Sequence, residues 1–256
     1  VKPLRIGCVK YLNARPLVHN WPGRVVLDHP AVLCARLAAG DLELALVSSF
    51  EFLRNPIYKI VDDIAIASDG PVYSVFVAYS AGTRPGEIEL DPASATAVSL
   101  LRCMMANRGT KLIPVAPPED KLSPLAPKRS RFLIGDQAIR FRRKFADAYQ
   151  YWDLGEEWRD RARKPFVYAL WLVRPEVEDA GAIASQLRAL RDKNLANLDQ
   201  LVAEEREFDR AFCSRYFREH LRFSFGEREK EGLRSFQGLC EKNGLLPARA
   251  IEFAVV

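Results

Sequence analysis

Residues 62–80, DDIAIASDGPVYSVFVAYS, restrict the possible folds more than any other stretch of the chain. An apolar run containing Ile64 and Ile66 breaks at Asp69-Gly70-Pro71. Glycine tolerates positive φ and proline fixes its own φ, so the backbone must turn there. Apolar character then resumes over 72–79, with Ser74 as the interruption. A run apolar on both faces is expected to be a strand buried inside an α/β sheet. A hydroxyl in such a strand either bonds to backbone or faces a ligand. A second run of the same kind, FVYALWLV, occupies 166–173.

Around these two runs, strand-like and helix-like segments alternate. Strands are expected at 4–9, 24–27 and 42–47, and a helix over 30–39 stopped by Gly40. The segment 11–16 reads as a loop entering a short helix, with Pro16 in its first turn, where a missing N–H costs nothing. The third strand delivers Ser48-Ser49 at its carboxyl end, the place where open α/β sheets bind ligands. Ser94-Ala95-Thr96 opens an amphipathic helix with Val98, Leu101 and Met105 on its buried face. Strands follow at 112–115, 132–136 and 149–154, and a Pro-rich connection runs through Pro127. Beyond 173, Ile183, Leu187, Leu190, Leu198 and Leu201 trace one face of a helix of about 25 residues. A last helix over 227–242 ends near Gly244. A chain that leaves one lobe, builds a second and returns through a paired strand gives an α/β protein of two lobes joined by a double crossover. Residues 1–78 with 170–256 would form lobe I and 79–169 the inserted lobe II. This is the type II periplasmic-binding-protein architecture, with a cleft for a small molecule between the lobes.

With 48% hydrophobic and 28% charged residues the chain can bury a large core. No apolar run approaches the ~20 residues that span a bilayer, and 4–9 is too short for a signal-peptide core. Neither a membrane partner nor an export leader is therefore expected in the residues given. The five cysteines are scattered without a C-x-x-C pair, which fits free thiols in a reducing cytoplasm. A net charge of +5 admits nucleic acid, an acidic membrane surface or a small anion as partner. The densest basic stretch, 128–144, lacks any helix-turn-helix, RNA-binding or zinc-finger signature, so it reads as a solvated helix face and nucleic acid is not expected. There is no Gly-rich phosphate loop, G-x-S-x-G or H-E-x-x-H, hence no metal or organic cofactor is implied. The three histidines do not cluster, and Asp62-Asp63 and Glu156-Glu157 read as turn and helix-start residues. Chemistry alone stops at a two-lobed anion-binding protein of unassigned oligomeric state.

Six segments go further. They are GCVKYLNARPL at 7–17, GDLELALVSSFEF at 40–52, ASDGPVYSV at 67–75, LIGDQA at 133–138, DLGEEW at 153–158 and PFVYALW at 165–171. Their order resembles that of the chorismate dehydratases, which open the futalosine route to menaquinone. The likeness extends over 216–225 and the helix containing Gly232-Leu233. The Tyr-Leu-Asn motif distinguishes the chain from a sister family that carries Cys-Pro-Asn-Asp instead. The resemblance implies a binding-protein fold turned into a cofactor-free hydro-lyase, converting chorismate to 3-[(1-carboxyvinyl)oxy]benzoate. Asn13 and Ser74 match the family's polar active-site positions. They are implied to hydrogen-bond the departing hydroxyl and a carboxylate while the substrate's own enolpyruvyl carboxylate takes the proton. Ser94 and Thr96, with the helix N–H groups behind them, are expected to bind a carboxylate, and Arg15, Gly135 and Asp136 to contribute to binding. Ser48, Ser49, Asp69 and Gly70 either complete the pocket wall or serve only as caps and a turn.

Two departures from the family pattern stand out. Ser-Arg-Thr-Ser is here Ser94-Ala95-Thr96-Ala97, and the Thr-Gly-Leu before Pro-Phe-Val is Ala162-Arg163-Lys164. The first removes a cation and a hydroxyl from the anion-binding helix. Two rival classes share the fold: a non-enzymatic binding protein for a small carboxylate, and a ligand-sensing domain, whose usual DNA-binding helix-turn-helix is not expected in these residues.

Overall fold

The computed structural model describes residues 4–85, 87–90, 93–106, 109–114 and 122–256. The turn markers Gly86 and Pro92, and much of the Pro-rich connection, lie outside them.

Two five-stranded sheets carry the fold. The first starts with β1 (Ile6–Val9), a turn of 3-10 helix (Leu12–Ala14) and α1 (Arg15–Val18). β2 (Val25–Asp28) and β3 (Leu44–Ser48) flank β1 in parallel, with α2 (Pro30–Ala39) crossing between them. Gly40 ends α2 at φ 82, the left-handed conformation that favours glycine. α3 (Ser49–Arg54) then leads into β4 (Lys59–Ser68).

The second sheet begins with β5 (Val75–Tyr79), later than the sequence suggests. Gly70 and Tyr73 both adopt positive φ, 132° and 68°, so the chain cannot extend through 69–74. That segment is the first crossover, and Ser74 sits just ahead of the strand rather than inside it. β6 (Glu87–Leu90), α4 (Ala95–Met105) and β7 (Lys111–Pro114) form a parallel βαβ unit. β8 (Ser130–Ile134) lies between β6 and β5, followed by α5 (Gly135–Lys144). β9 (Gln150–Asp153) closes the other edge, and α6 (Leu154–Ala162) leads back.

β10 (Phe166–Val173) returns to the first sheet, antiparallel to both β3 and β4, with all its residues buried. It pairs with β4, the strand the chain left on, and not with β5. Sheet membership therefore places the two crossovers at 69–74 and 163–165. Divisions at 78/79 and 169/170 would cut β5 and β10 in two.

The expected 25-residue helix is two: α7 (Ala180–Ala196) and α8 (Leu198–Glu204). At the break Asn197 leaves helical geometry (φ −110, ψ 32), and its side-chain amide (2.8 Å) joins its own backbone N–H (3.1 Å) on the Lys193 carbonyl. α9 (Arg210–Arg215) runs into a π-helical turn (Tyr216–His220), and α10 (Glu227–Lys242) packs on β10 and α4. A Cβ at Gly232 of α10 would lie 2.0 Å from the Pro165 carbonyl oxygen, so only glycine admits this approach of helix to return crossover. Asp62 and Asp63 lie in β4, not in a turn. Asp62 pairs with Lys230 and Asp63, at φ 62, with Arg191. The basic face of α5 is engaged with other elements. Arg140 pairs with Glu207 and Arg143 with Asp209, while the Arg142 guanidinium sits 4.3 Å from the Tyr73 ring centroid.

Candidate active site between the sheets

The ends of β1, β3, β8 and β10, the first crossover and the start of α4 enclose one cavity. It is lined by Val9, Tyr11, Asn13, Pro30, Ser48, Ile66, Val72, Ser74, Val75, Ser94, Ala97, Ile134, Gly135, Tyr168 and Ala169. Of the residues singled out from sequence, Asn13, Ser74, Ser48, Ser94 and Gly135 meet here, drawn from both sheets. No lysine, arginine or carboxylate is among the described lining residues.

Asn13 comes from the 3-10 turn after β1, and its Oδ1 is buried without a protein hydrogen-bond partner. A buried amide oxygen left so costs about 1–3 kcal/mol unless something else bonds it, which marks the position as ligand-facing. Ser74 is 1% exposed, and its Oγ accepts a hydrogen bond from the Tyr216 hydroxyl (2.7 Å). Its backbone is fixed separately. The Ser74 carbonyl accepts from Gly135 N (2.8 Å). One buried carboxylate, Asp153, takes the amides of Val72 (3.1 Å), Tyr73 (2.8 Å), Gly155 (2.9 Å) and Glu156 (3.2 Å). Asp153 thus caps α6 and clamps the crossover that presents Ser74. Desolvation pushes its carboxyl up from the usual range, with the amide bonds opposing.

Gly135 begins α5 at φ 61, and a Cβ there would lie 2.9 Å from the Tyr11 ring, so a side chain would part the two lobes at this contact. No side chain caps α5 at its start, which faces the cavity through Ile134 and Gly135. Ser94 caps α4, accepting from Ala97 N (3.4 Å).

The remaining candidates lie off the cavity lining. Thr96 is buried beneath Ser48 and joins the lobes: Thr96 N donates to Ser48 Oγ (2.9 Å) and Phe50 N to Thr96 Oγ1 (3.0 Å). Ser49 Oγ donates to the Val167 carbonyl (2.7 Å). Arg15 is 46% exposed and turned toward Glu205. Asp69 is held by Arg159, Arg222 and Arg228, and the Gly70 carbonyl accepts from Ser68 Oγ (3.1 Å). Asp136 accepts from Leu12 N (2.8 Å) across the lobes, and burial pushes its carboxyl up to about 6. Tyr216, Asp153, Tyr11 and Tyr168 belong to the site and were not singled out from sequence. Tyr168 OH lies 3.2 Å from Ser68 Oγ at the cavity wall. Among the described residues no group of three or more His, Cys, Asp or Glu is placed to hold a metal ion.

The chain is similar in sequence or fold to known proteins. A chorismate dehydratase of Thermus thermophilus is 28% identical, covering 92% of this chain and 94% of that one. A crystal structure of an Archaeoglobus fulgidus protein superposes with a TM-score of 0.77 at 15% identity, covering 95% of this chain and 98% of that one. The periplasmic aliphatic sulphonate binding protein of Escherichia coli does so at 0.65 and 12%, covering 98% and 95%. These two likenesses show the periplasmic-binding-protein fold. A family model described as menaquinone biosynthesis matches residues 4–242, and the chain belongs to that family.

Proposed function

We propose that the chain is a chorismate dehydratase acting in the cytoplasm at the head of the futalosine route. The reaction breaks the ring C–O bond to the hydroxyl and one ring C–H bond. The electron pair left by the proton becomes part of the aromatic ring of 3-[(1-carboxyvinyl)oxy]benzoate, and hydroxyl and proton leave together as water. The observation that carries the reading is the buried, unpartnered Asn13 Oδ1, which shares one cavity with Ser74. The 28% identity to a chorismate dehydratase supports it independently.

Neither an amide nor a serine hydroxyl is a competent base near neutral pH, and no carboxylate or histidine lines the cavity among the described residues. The substrate's enolpyruvyl carboxylate therefore takes the proton, from a ring carbon acidified through the double bond conjugated to the ring carboxylate, and passes it to the departing hydroxyl, so that water leaves. Ser74 donates to the departing hydroxyl and Asn13 holds the polar groups in place. Such a site works by positioning, which can supply up to ~7–11 kcal/mol of the barrier, where a general base typically gives ~10²–10⁴-fold.

Among the described lining residues the dianion meets no formal cation, and Ala95 stands where the family pattern has arginine. Helix ends take that role: the α5 N-terminus, free of a side-chain cap, and the Ser94-capped α4 N-terminus. Four backbone amides also surround the buried Asp153 carboxylate, there with Arg142 3.7 Å away. The five free cysteines, all buried, fit a reducing compartment.

Asn13→Ala and Ser74→Ala are each expected to lower kcat for chorismate at least ~10-fold, about the effect of one transition-state hydrogen bond to a charged or departing group. Wild-type turnover in both variants would remove the assignment.

A further inference from the structure

Tyr216 is wholly buried, stacked on Phe212 with ring centroids 5.5 Å apart and planes 15° from parallel. It opens the π-helical turn Tyr216–His220, a distortion that often marks functional sites. Its hydroxyl makes a single hydrogen bond among the described residues, to Ser74 Oγ at 2.7 Å. A serine hydroxyl has one proton and two lone pairs. With one lone pair occupied by Tyr216, the Ser74 proton is directed elsewhere, and Ser74 lines the cavity. Desolvation pushes the Tyr216 phenol well above its usual range, so it remains a donor.

We propose that Tyr216 is a positioning residue that fixes Ser74 as a hydrogen-bond donor toward the group leaving in the cavity. The inference rests on the dehydratase reading for its kinetic consequence but not for its geometry. The Ser74 backbone is held by Gly135 N and, through its neighbours Val72 and Tyr73, by Asp153. Removing the Tyr216 hydroxyl therefore frees the Ser74 side chain without freeing the loop. The bond also becomes stronger as Ser74 donates to the hydroxyl gathering negative charge, since linked hydrogen bonds polarise one another.

The test combines Tyr216→Phe, Ser74→Ala and the double variant. Tyr216→Phe is expected to lower kcat roughly 3–10-fold, the worth of one such bond, with KM within about 2-fold. The double variant should be no slower than Ser74→Ala alone, because the phenol acts only through that serine. A double variant slowed by the product of the two single effects, or a Tyr216→Phe enzyme with wild-type kcat, overturns the proposal. A crystal structure of Tyr216→Phe gives a second readout that needs no turnover. Ser74 Oγ should leave its single rotamer while the 69–74 backbone stays in place, and an unmoved Ser74 Oγ overturns the proposal. Absence of chorismate turnover in the wild-type protein would remove the dehydratase reading, and the crystal structure would still decide the role of Tyr216.

Discussion

Asp136 belongs to lobe II yet accepts the Leu12 amide of lobe I, and burial pushes its carboxyl up to about 6. The Leu12 hydrogen bond and the nearby Arg140 and Arg15 oppose that shift, and Glu205 adds to it. In the unfolded chain the group titrates near its ordinary value of ~3.9. Between that value and about 6 the folded protein therefore holds a proton that the unfolded chain has released. The stabilisation linked to it is complete below pH ~3.9 and is lost as pH rises through about 6. Asp136→Asn removes this dependence while keeping an acceptor for Leu12 N. Denaturant titrations from pH 4 to pH 7 should show the variant gaining stability relative to wild type as pH rises; a constant difference would contradict the assignment. Asn13 and Ser74 were legible at this scale because short motifs carry them. Tyr216 and Asp153 were not, since their partners lie 142 and about 80 residues away and neither stretch marks the pairing locally.

At the scale of elements, strand and helix types followed the hydrophobic pattern closely, and the misread boundaries have physical causes. The run 72–79 is apolar from its first residue, but Tyr73 at positive φ starts the strand only at Val75. The leucine periodicity passes unbroken across Asn197, whose backbone at φ −110 and ψ 32 leaves the helical conformation. Arg163 is the converse case. It follows α6 at φ 56, where the family pattern has glycine. A side chain in that conformation costs ~1–2 kcal/mol, partly offset because glycine gives the unfolded chain more freedom, by ~0.4–1 kcal/mol. Its ion pair with Asp160 is exposed on both sides and contributes little. Arg163→Gly should therefore stabilise the protein by about 0.5–1 kcal/mol in chemical denaturation. A loss of stability would mean that Arg163 makes an interaction in the return crossover that outweighs the strain.

For the whole molecule, the two-lobed plan was readable from two apolar strands and a turn, while the pairing of β10 with β4 needed the sheet itself. The lobes meet through short polar contacts around the cavity, Leu12 with Asp136 and Ser48 with Thr96, while Tyr216 braces Ser74 of the crossover. Residues from both sheets thus enclose a cavity whose described lining carries no formal charge. A binding protein and a lyase can share that frame, and what separates them is the fate of the ligand. Mass spectrometry of chorismate incubated with the purified wild-type protein decides between them most directly. Protein-dependent conversion to an aromatic product lighter by one water is expected, lost when Asn13 or Ser74 is replaced; recovery of intact chorismate from protein that has bound it would contradict a dehydratase.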